Sequence, residues 1–304
     1  MQMTMEKIIA QLSQAGLRIA EEEPLSRHTS FRIGGPVRAM VFPAGEAELI
    51  EAIALLHAAG IEPLLIGNGS NLLASDGVID RIAVKTHDGV AKLERLPQDN
   101  TIYASAGVLL SRVAVYAREF GLSGLEFAHG IPGTLGGAIF MNAGAYGGEM
   151  AQVLTRVHYL DETHTRQTME GAQCGFSYRH SRFMDTKALI LGAELSLAKG
   201  ASGEIGARMA ELAEKRRASQ PLEFPSGGST FKRPKDGYAA ALIDEAGLKG
   251  YTVGGAQVSE KHAGFVINRG GATCIDVLRV MEHVQEVVYQ RTGILLEPEV
   301  EMVL

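Results

Sequence analysis

Cysteine is nearly absent from this chain: Cys174 and Cys274 are the only two in 304 residues, and they form no CxxC pair. A disulfide framework and a thiolate zinc site are therefore excluded, and both thiols are expected to be small buried hydrophobes. Long apolar runs are missing as well. No stretch approaches the roughly 18 consecutive apolar residues that a membrane span needs. The N-terminal MQMTMEKIIAQLSQAGL carries an acid and glutamines where a secretory leader would be continuously apolar. A cytoplasmic location without a membrane partner is the expectation. An excess of positive charge is also lacking. The net charge of −6 and the pI near 5.9 argue against sequence-independent binding of nucleic acid, although local charge can still meet an anionic substrate.

What is present is the mixture of an ordinary globular protein, with 46% hydrophobic and 21% charged residues. The length exceeds what one small core comfortably holds, so two or three domains are expected. The first 17 residues read as an amphipathic helix. An apolar run at 37–42, a helical pattern at 46–59 that opens on acids and stops at Gly60, and a short apolar run at 63–66 make a β-α-β unit. Strand-like runs recur at 82–85, 101–106, 153–158 and 188–197, with helical patterns at 109–120 and 204–217. Residues 221–235 are rich in Pro, Gly and Ser and mark a junction. Beyond them lie a helix over 238–246, with Asp236 as its expected N-cap, a strand over 264–268, a helix over 275–292, and a last strand over 295–304. Thr273 with Asp276 three residues on, and Gly293 at the far end, are the start and stop signals of that long helix. The class is α+β.

Glycine is plentiful, at 36 residues, and unevenly placed. Gly67-Asn68-Gly69-Ser70-Asn71-Leu72 begins where the 63–66 strand ends, a position from which backbone N–H groups reach a phosphate. Leu72 stands where a Rossmann fingerprint needs its third glycine, and no lysine–serine or lysine–threonine pair makes a P-loop. A tight polar turn is the competing reading. The stretch Gly130-Ile131-Pro132-Gly133-Thr134-Leu135-Gly136-Gly137-Ala138, continuing into Asn142-Ala143-Gly144-Ala145-Tyr146-Gly147-Gly148, tips the balance. Such a segment makes a poor core, and an extended ligand lying along its amides is the economical explanation. Two loops of this kind suggest a pyrophosphate joining a nucleotide to a second ring.

These loops, with Thr29-Ser30-Phe31-Arg32-Ile33-Gly34-Gly35, resemble the FAD-binding fold of the vanillyl-alcohol-oxidase type. Together with the C-terminal motifs described below, residues 25–303 resemble the UDP-N-acetylenolpyruvoylglucosamine reductase family, in the shorter form that lacks an inserted tyrosine-bearing loop. The resemblance implies a two-subdomain FAD-binding module, 1–85 and 86–220, followed by a smaller α+β substrate-binding domain, 221–304. It implies FAD and NADPH as cofactors. Gly67, Asn68, Gly69, Ser70, Asn71 and Leu72 would hold FAD, with Gly107, Ile131, Pro132, Gly133, Gly136, Gly137, Asn142 and Ala143. Tyr178, Lys232 and Lys249 would meet the UDP-sugar, with Lys261 near them.

Three polar sites accompany the loops. Arg179, in Phe176-Ser177-Tyr178-Arg179-His180-Ser181, offers a planar fork of donors suited to a carboxylate, though a structural salt bridge is the plainer reading. Ser229, in Gly227-Gly228-Ser229-Thr230-Phe231-Lys232, reads on its own as a turn residue. Glu299, in Pro298-Glu299-Val300, is a half-buried carboxylate that requires a partner. The resemblance makes them one catalytic trio: Arg179 binds the enolpyruvyl carboxylate, Glu299 helps stabilise the enolic intermediate, and Ser229 donates the proton. Gly264 and Glu301 depart from the family pattern, where asparagine and arginine are usual. Glu301 thereby removes a cationic contact near Glu299. His129 and His262 lack metal-ligand spacing, and no metal is expected. With no second dinucleotide motif, NADPH and the sugar nucleotide would share one cleft in turn, in a monomer. Two other readings remain at this point: an FAD-dependent alcohol or lactone oxidase of the same fold, and a non-catalytic nucleotide-binding module.

Overall fold

The structure is a computed structural model that describes residues 4–86, 91–97, 100–186 and 188–304. Its helices are α1 (Met5–Gln14), α2 (Glu46–Ala58), α3 (Leu110–Glu119), α4 (Leu135–Phe140), α5 (Ser202–Ser219), α6 (Ala239–Glu245) and α7 (Cys274–Thr292). The chain divides into two units, and it passes from one to the other at 20/21, 38/39, 68/69, 80/81 and 215/216.

The first unit holds a five-stranded antiparallel sheet in the order Arg166–Glu170, Leu154–Leu160, Leu189–Ser196, Thr101–Ser105, Leu93–Arg95. Its core joins Ile102, Ala104, Val157 and Leu195 from the sheet to Leu110, Val113 and Ala117 of α3, Leu135 and Ile139 of α4, and Ile205 and Met209 of α5. A second core in the same unit packs Ile8 and Leu12 of α1 on Leu49, Ile53 and Leu56 of α2, above Ala39, Val41, Ile82 and Val84. The apolar side chains of α2 recur every three or four residues, so one face is removed from water, at roughly 1.5–3 kcal/mol per leucine or isoleucine. The β-α-β unit is present: Pro36–Val41, α2, then Leu64–Ile66, which runs parallel to Ile79–Lys85 with Leu64 opposite Ala83. These strands and Ile19–Pro24 form a four-stranded sheet in the order Ile19–Pro24, Pro36–Val41, Ile79–Lys85, Leu64–Ile66.

The second unit holds α6, α7 and a three-stranded antiparallel sheet, Thr252–Val253, Ala256–Val258 and Val266–Asn268. The α7 helix starts on a complete capping box: Asp276 N–H donates to Thr273 Oγ1 at 3.2 Å, and Thr273 N–H donates to Asp276 Oδ2 at 3.0 Å. Gly293, at φ 73°, ends it in the left-handed conformation that glycine adopts without strain. Val277, Val280, Met281, Val284 and Val288 face a core shared with Phe31, Ile33, Leu73, Phe231, Leu296 and Val300.

Two local expectations are corrected. The last strand covers only Glu301–Val303, parallel to Leu72–Ala74. Pro298 has no N–H to give a ladder and makes an isolated bridge to Phe231, so Glu299 lies just outside the strand. The N-cap of α6 is Tyr238, not Asp236, because Gly237 at φ 112° turns the chain between them. The cysteines are both buried and free, and burial pushes each thiol up to about 11.

Candidate active site

The loop that follows Leu64–Ile66 is constrained atom by atom. A Cβ on Gly67 would sit 2.5 Å from Thr134 Oγ1, so only glycine lets the strand end approach the 130–137 segment this closely. Asn68 Nδ2 donates to the carbonyl of Pro132, tying the two segments together. Gly69 has φ 61°, and a Cβ there would fall 2.0 Å from His28 O. Among the described residues, the N–H groups of Asn68, Gly69, Ser70, Gly133 and Thr134 donate to no protein acceptor. His129 Nδ1, beside Gly130, is buried without a hydrogen-bond partner. Free amides in each of the two glycine-rich segments are donors of the kind that a dinucleotide's phosphates require, so these residues fit FAD.

The second glycine stretch is less open than its composition suggests. Residues 135–140 form α4, capped by Thr134 Oγ1, which accepts from Gly137 N–H at 3.4 Å. A Cβ on Gly136 would lie 2.8 Å from Ala106 Cβ, on Gly144 2.7 Å from Gly148 O, and on Gly148 2.4 Å from Phe127 Cδ1. These glycines let the chain pack on itself, which corrects the expectation that the whole stretch faces a ligand. Gly107 is buried in the turn after Thr101–Ser105, next to Ala106, whose carbonyl accepts Gly136 N–H at 2.8 Å. Ile131 N–H goes to Ala128 O and Ala143 N–H to Ala138 O. Asn142 is 1% exposed, and its amide is committed to the protein: Nδ2 donates to Ser177 O at 3.0 Å and Oδ1 accepts from Ala151 N–H at 3.0 Å.

Arg179 occupies a tight turn closed by reciprocal bonds between Ser177 and His180, at 3.1 and 3.2 Å. Its φ is 54°, a left-handed conformation that costs an L-residue energy and is held by the surroundings. The guanidinium donates to Gly144 O at 3.4 Å and stands 5.0 Å from the Tyr178 ring centroid, while Tyr178 is exposed.

Ser229 and Glu299 are linked through Thr230 in the second unit. Thr230 is fully buried. Its N–H donates to Gly264 O, its Oγ1 accepts from Val266 N–H, and its carbonyl accepts from Glu299 N–H, at 2.8, 2.9 and 2.8 Å. Two residues on, Lys232 N–H donates to Glu297 O. Asn71 completes the arrangement: Nδ2 donates to Glu299 O at 2.9 Å and its carbonyl accepts Glu301 N–H at 2.8 Å. The Ser229 hydroxyl makes no hydrogen bond to protein among the described residues, and Ser229 and Glu299 are both partly exposed. Gly227 lets this turn close, since a Cβ there would meet Phe31 Cε2 at 2.6 Å.

The lysines are less engaged with this centre. Lys232 Nζ is 3.8 Å from Glu297, Lys249 Nζ pairs with Asp244 at 2.5 Å, and Lys261 Nζ donates to Arg217 O at 2.7 Å. Burial lowers the His262 pKa, and its Nδ1 accepts from Gly264 N–H. Thr230 and the Asn71–Glu299 pairing escape sequence reasoning, because nothing in GGSTF separates a pinned threonine from its neighbour. Among the described residues no cluster of three His, Cys, Asp or Glu side chains suits a metal.

Residues 37–169 match the family model described as FAD binding domain. Residues 220–303 match UDP-N-acetylenolpyruvoylglucosamine reductase, C-terminal domain. The chain is 47% identical over 282 residues to the UDP-N-acetylenolpyruvoylglucosamine reductase of Caldanaerobacter subterraneus subsp. tengcongensis, covering 92% of each chain. It is 44% identical to that of Agathobacter rectalis, over 98% of this chain and 97% of the relative. The crystal structure of the Thermus caldophilus reductase superposes with a TM-score of 0.80 at 33% identity, over 94% of this chain and 99% of that one. The chain belongs to the UDP-N-acetylenolpyruvoylglucosamine reductase family.

Proposed function

We propose that Arg179, Ser229 and Glu299 carry the chemistry by which this FAD-containing, NADPH-dependent oxidoreductase reduces the enolpyruvyl ether of UDP-N-acetylglucosamine to UDP-N-acetylmuramate, a step of peptidoglycan precursor synthesis. When bound, FAD would supply hydride-transfer chemistry, with NADPH as the reductant and C3 of the enolpyruvyl group as the acceptor. Negative charge then builds at C2 and in the carboxylate. The Arg179 guanidinium binds that carboxylate and stabilises the charge as it develops. Glu299, positioned by its backbone bonds to Thr230 and Asn71, helps stabilise the enolic form. The Ser229 hydroxyl delivers the proton to C2 from a fixed direction, which sets the configuration of the product. The observation that carries this assignment is the Thr230 link. It fixes the backbones beside Ser229 and Glu299, while among the described residues the serine hydroxyl has no protein partner.

Residues 1–85 and 86–220 are read as the two FAD-binding subdomains, of the vanillyl-alcohol-oxidase type, and 221–304 as the substrate-binding domain, with Tyr178, Lys232 and Lys249 on the UDP-sugar. Among the described residues no helix is long and apolar enough to cross a membrane. The enzyme is read as a cytoplasmic monomer in which NADPH and the UDP-sugar occupy one cleft in turn. Parallel double-reciprocal lines support that order, and intersecting lines overturn it.

The test separates the half-reactions. Under anaerobic conditions NADPH bleaches the bound flavin, and the UDP-sugar enol ether restores the colour. Ser229→Ala keeps the bleaching rate and slows recolouring by about 10²–10⁴-fold. Equal slowing of both steps overturns the role of Ser229.

A further inference from the structure

We infer that Asn142 and Ser181 are positioning residues that set the Arg179 guanidinium in place. This rests on the reading that Arg179 binds the substrate carboxylate. The turn that carries Arg179 is clamped at both ends by one short segment, the last turn of α4 and the residues just after it. At the near end, Asn142 Nδ2 donates to Ser177 O at 3.0 Å, the carbonyl that also accepts His180 N–H. At the far end, Ser181 Oγ donates to Phe140 O at 2.7 Å. Phe140 O lies at a helix C-terminus, where a carbonyl has no partner within the helix, so the hydroxyl satisfies it. Asn142 is itself anchored, because Oδ1 accepts Ala151 N–H. Both side chains are buried, at 1% and 0% exposure, so neither touches a substrate directly.

The clamp has an energetic purpose. Arg179, Asn142 and Tyr146 all hold positive φ, at 54°, 45° and 54°, a conformation L-residues leave unless the surroundings over-determine it. Removing either clamp bond lets the Ser177–His180 turn relax toward ordinary φ, which swings the arginine side chain. The Arg179 bond to Gly144 O, two residues past Asn142, holds the guanidinium to the same segment. Since α4 begins at the Thr134–Gly137 cap and spans about 9 Å for its six residues, it acts as a strut between the glycine-rich cofactor segment and the arginine turn. A misplacement of about 1 Å at such a group costs up to roughly 100-fold in rate.

The experiment uses the holoenzyme and the two half-reactions. Asn142→Ala is expected to slow recolouring by the UDP-sugar enol ether about 10–100-fold and raise its KM, with NADPH bleaching changed less than about 2-fold. Ser181→Ala, a milder change, is expected to give the same pattern at about 3–10-fold, and decides the matter if Asn142→Ala does not fold. In an Arg179→Ala background, Asn142→Ala adds no further loss, because it acts only through the arginine. Additive losses, a parallel fall in bleaching, or wild-type recolouring in Ser181→Ala overturns the inference. Should Arg179→Ala alone leave recolouring untouched, the failure lies in the role assigned to Arg179, and the clamp has no catalytic group to position.

Discussion

Thr230 is the residue through which the serine and glutamate of the proposed trio are held. Its hydroxyl accepts from Val266 N–H inside a fully buried site, so Thr230→Val keeps the shape and removes the acceptor. A buried N–H left unmatched costs about 1–3 kcal/mol. Urea unfolding is expected to record a loss of that size, and the second half-reaction to slow more than the first. Gly69 is a sharper case. Its φ of 61° and the 2.0 Å approach of a Cβ to His28 O both exclude a side chain. Gly69→Ala is expected to purify with less than about a tenth of the wild-type flavin content, read from the ratio of flavin to protein absorbance. A stoichiometrically yellow variant would show that the loop yields to a methyl group.

At the scale of elements, the hairpin between Leu154–Leu160 and Arg166–Glu170 turns on Asp161. Its carboxylate accepts from the Thr163 hydroxyl, Gln167 Nε2 and the Thr165 and Thr163 N–H groups, which hold its pKa down to about 2. The folded value lies below the unfolded one of about 3.9. The contribution is therefore complete above pH 4 and is lost as pH falls toward 2. Amide exchange at Thr163 and Thr165 is expected to accelerate through that window, and Asp161→Asn to abolish the pH dependence.

Elements with a strong local signal were legible in the sequence. The α7 helix announces itself through the Thr273/Asp276 box and Gly293, and α2 through its apolar face followed by Gly60. The α4 helix was not legible, since Leu135-Gly136-Gly137 has weak helix propensity and forms under tertiary packing on Ala106. The proposed trio rests on family resemblance, since Arg179, Ser229 and Glu299 each read locally as an ion-pair, turn or half-buried polar residue. Asn142 read as a cofactor ligand, because its engagement with Ser177, 35 residues away, has no local signature.

For the whole molecule, the order of segments decides what can stand alone. A fragment spanning 216–304 contains α6, α7 and Ser229, yet lacks Phe31, Ile33 and Leu73, which belong to the same core. Expressed by itself it is expected to lose near-ultraviolet circular dichroism and to bind a hydrophobic dye. Fixed side-chain signals in that fragment would show that the C-terminal elements suffice. The full chain is expected to gain about 2.7 kcal/mol when FAD exceeds its dissociation constant 100-fold, visible as a midpoint that climbs with FAD concentration.

The bond from Asn268 Nδ2 to Phe31 O joins residues 237 apart, inside that same core. A ribosome adding roughly 5–20 residues per second releases the asparagine some 12–50 s after the phenylalanine. Until Phe231 is made, only Ile33 and Leu73 of that core accompany the aromatic ring. The core around Phe31 therefore closes only after the C-terminal elements are made, and slowing translation downstream of Phe31 is expected to lower the yield of folded protein.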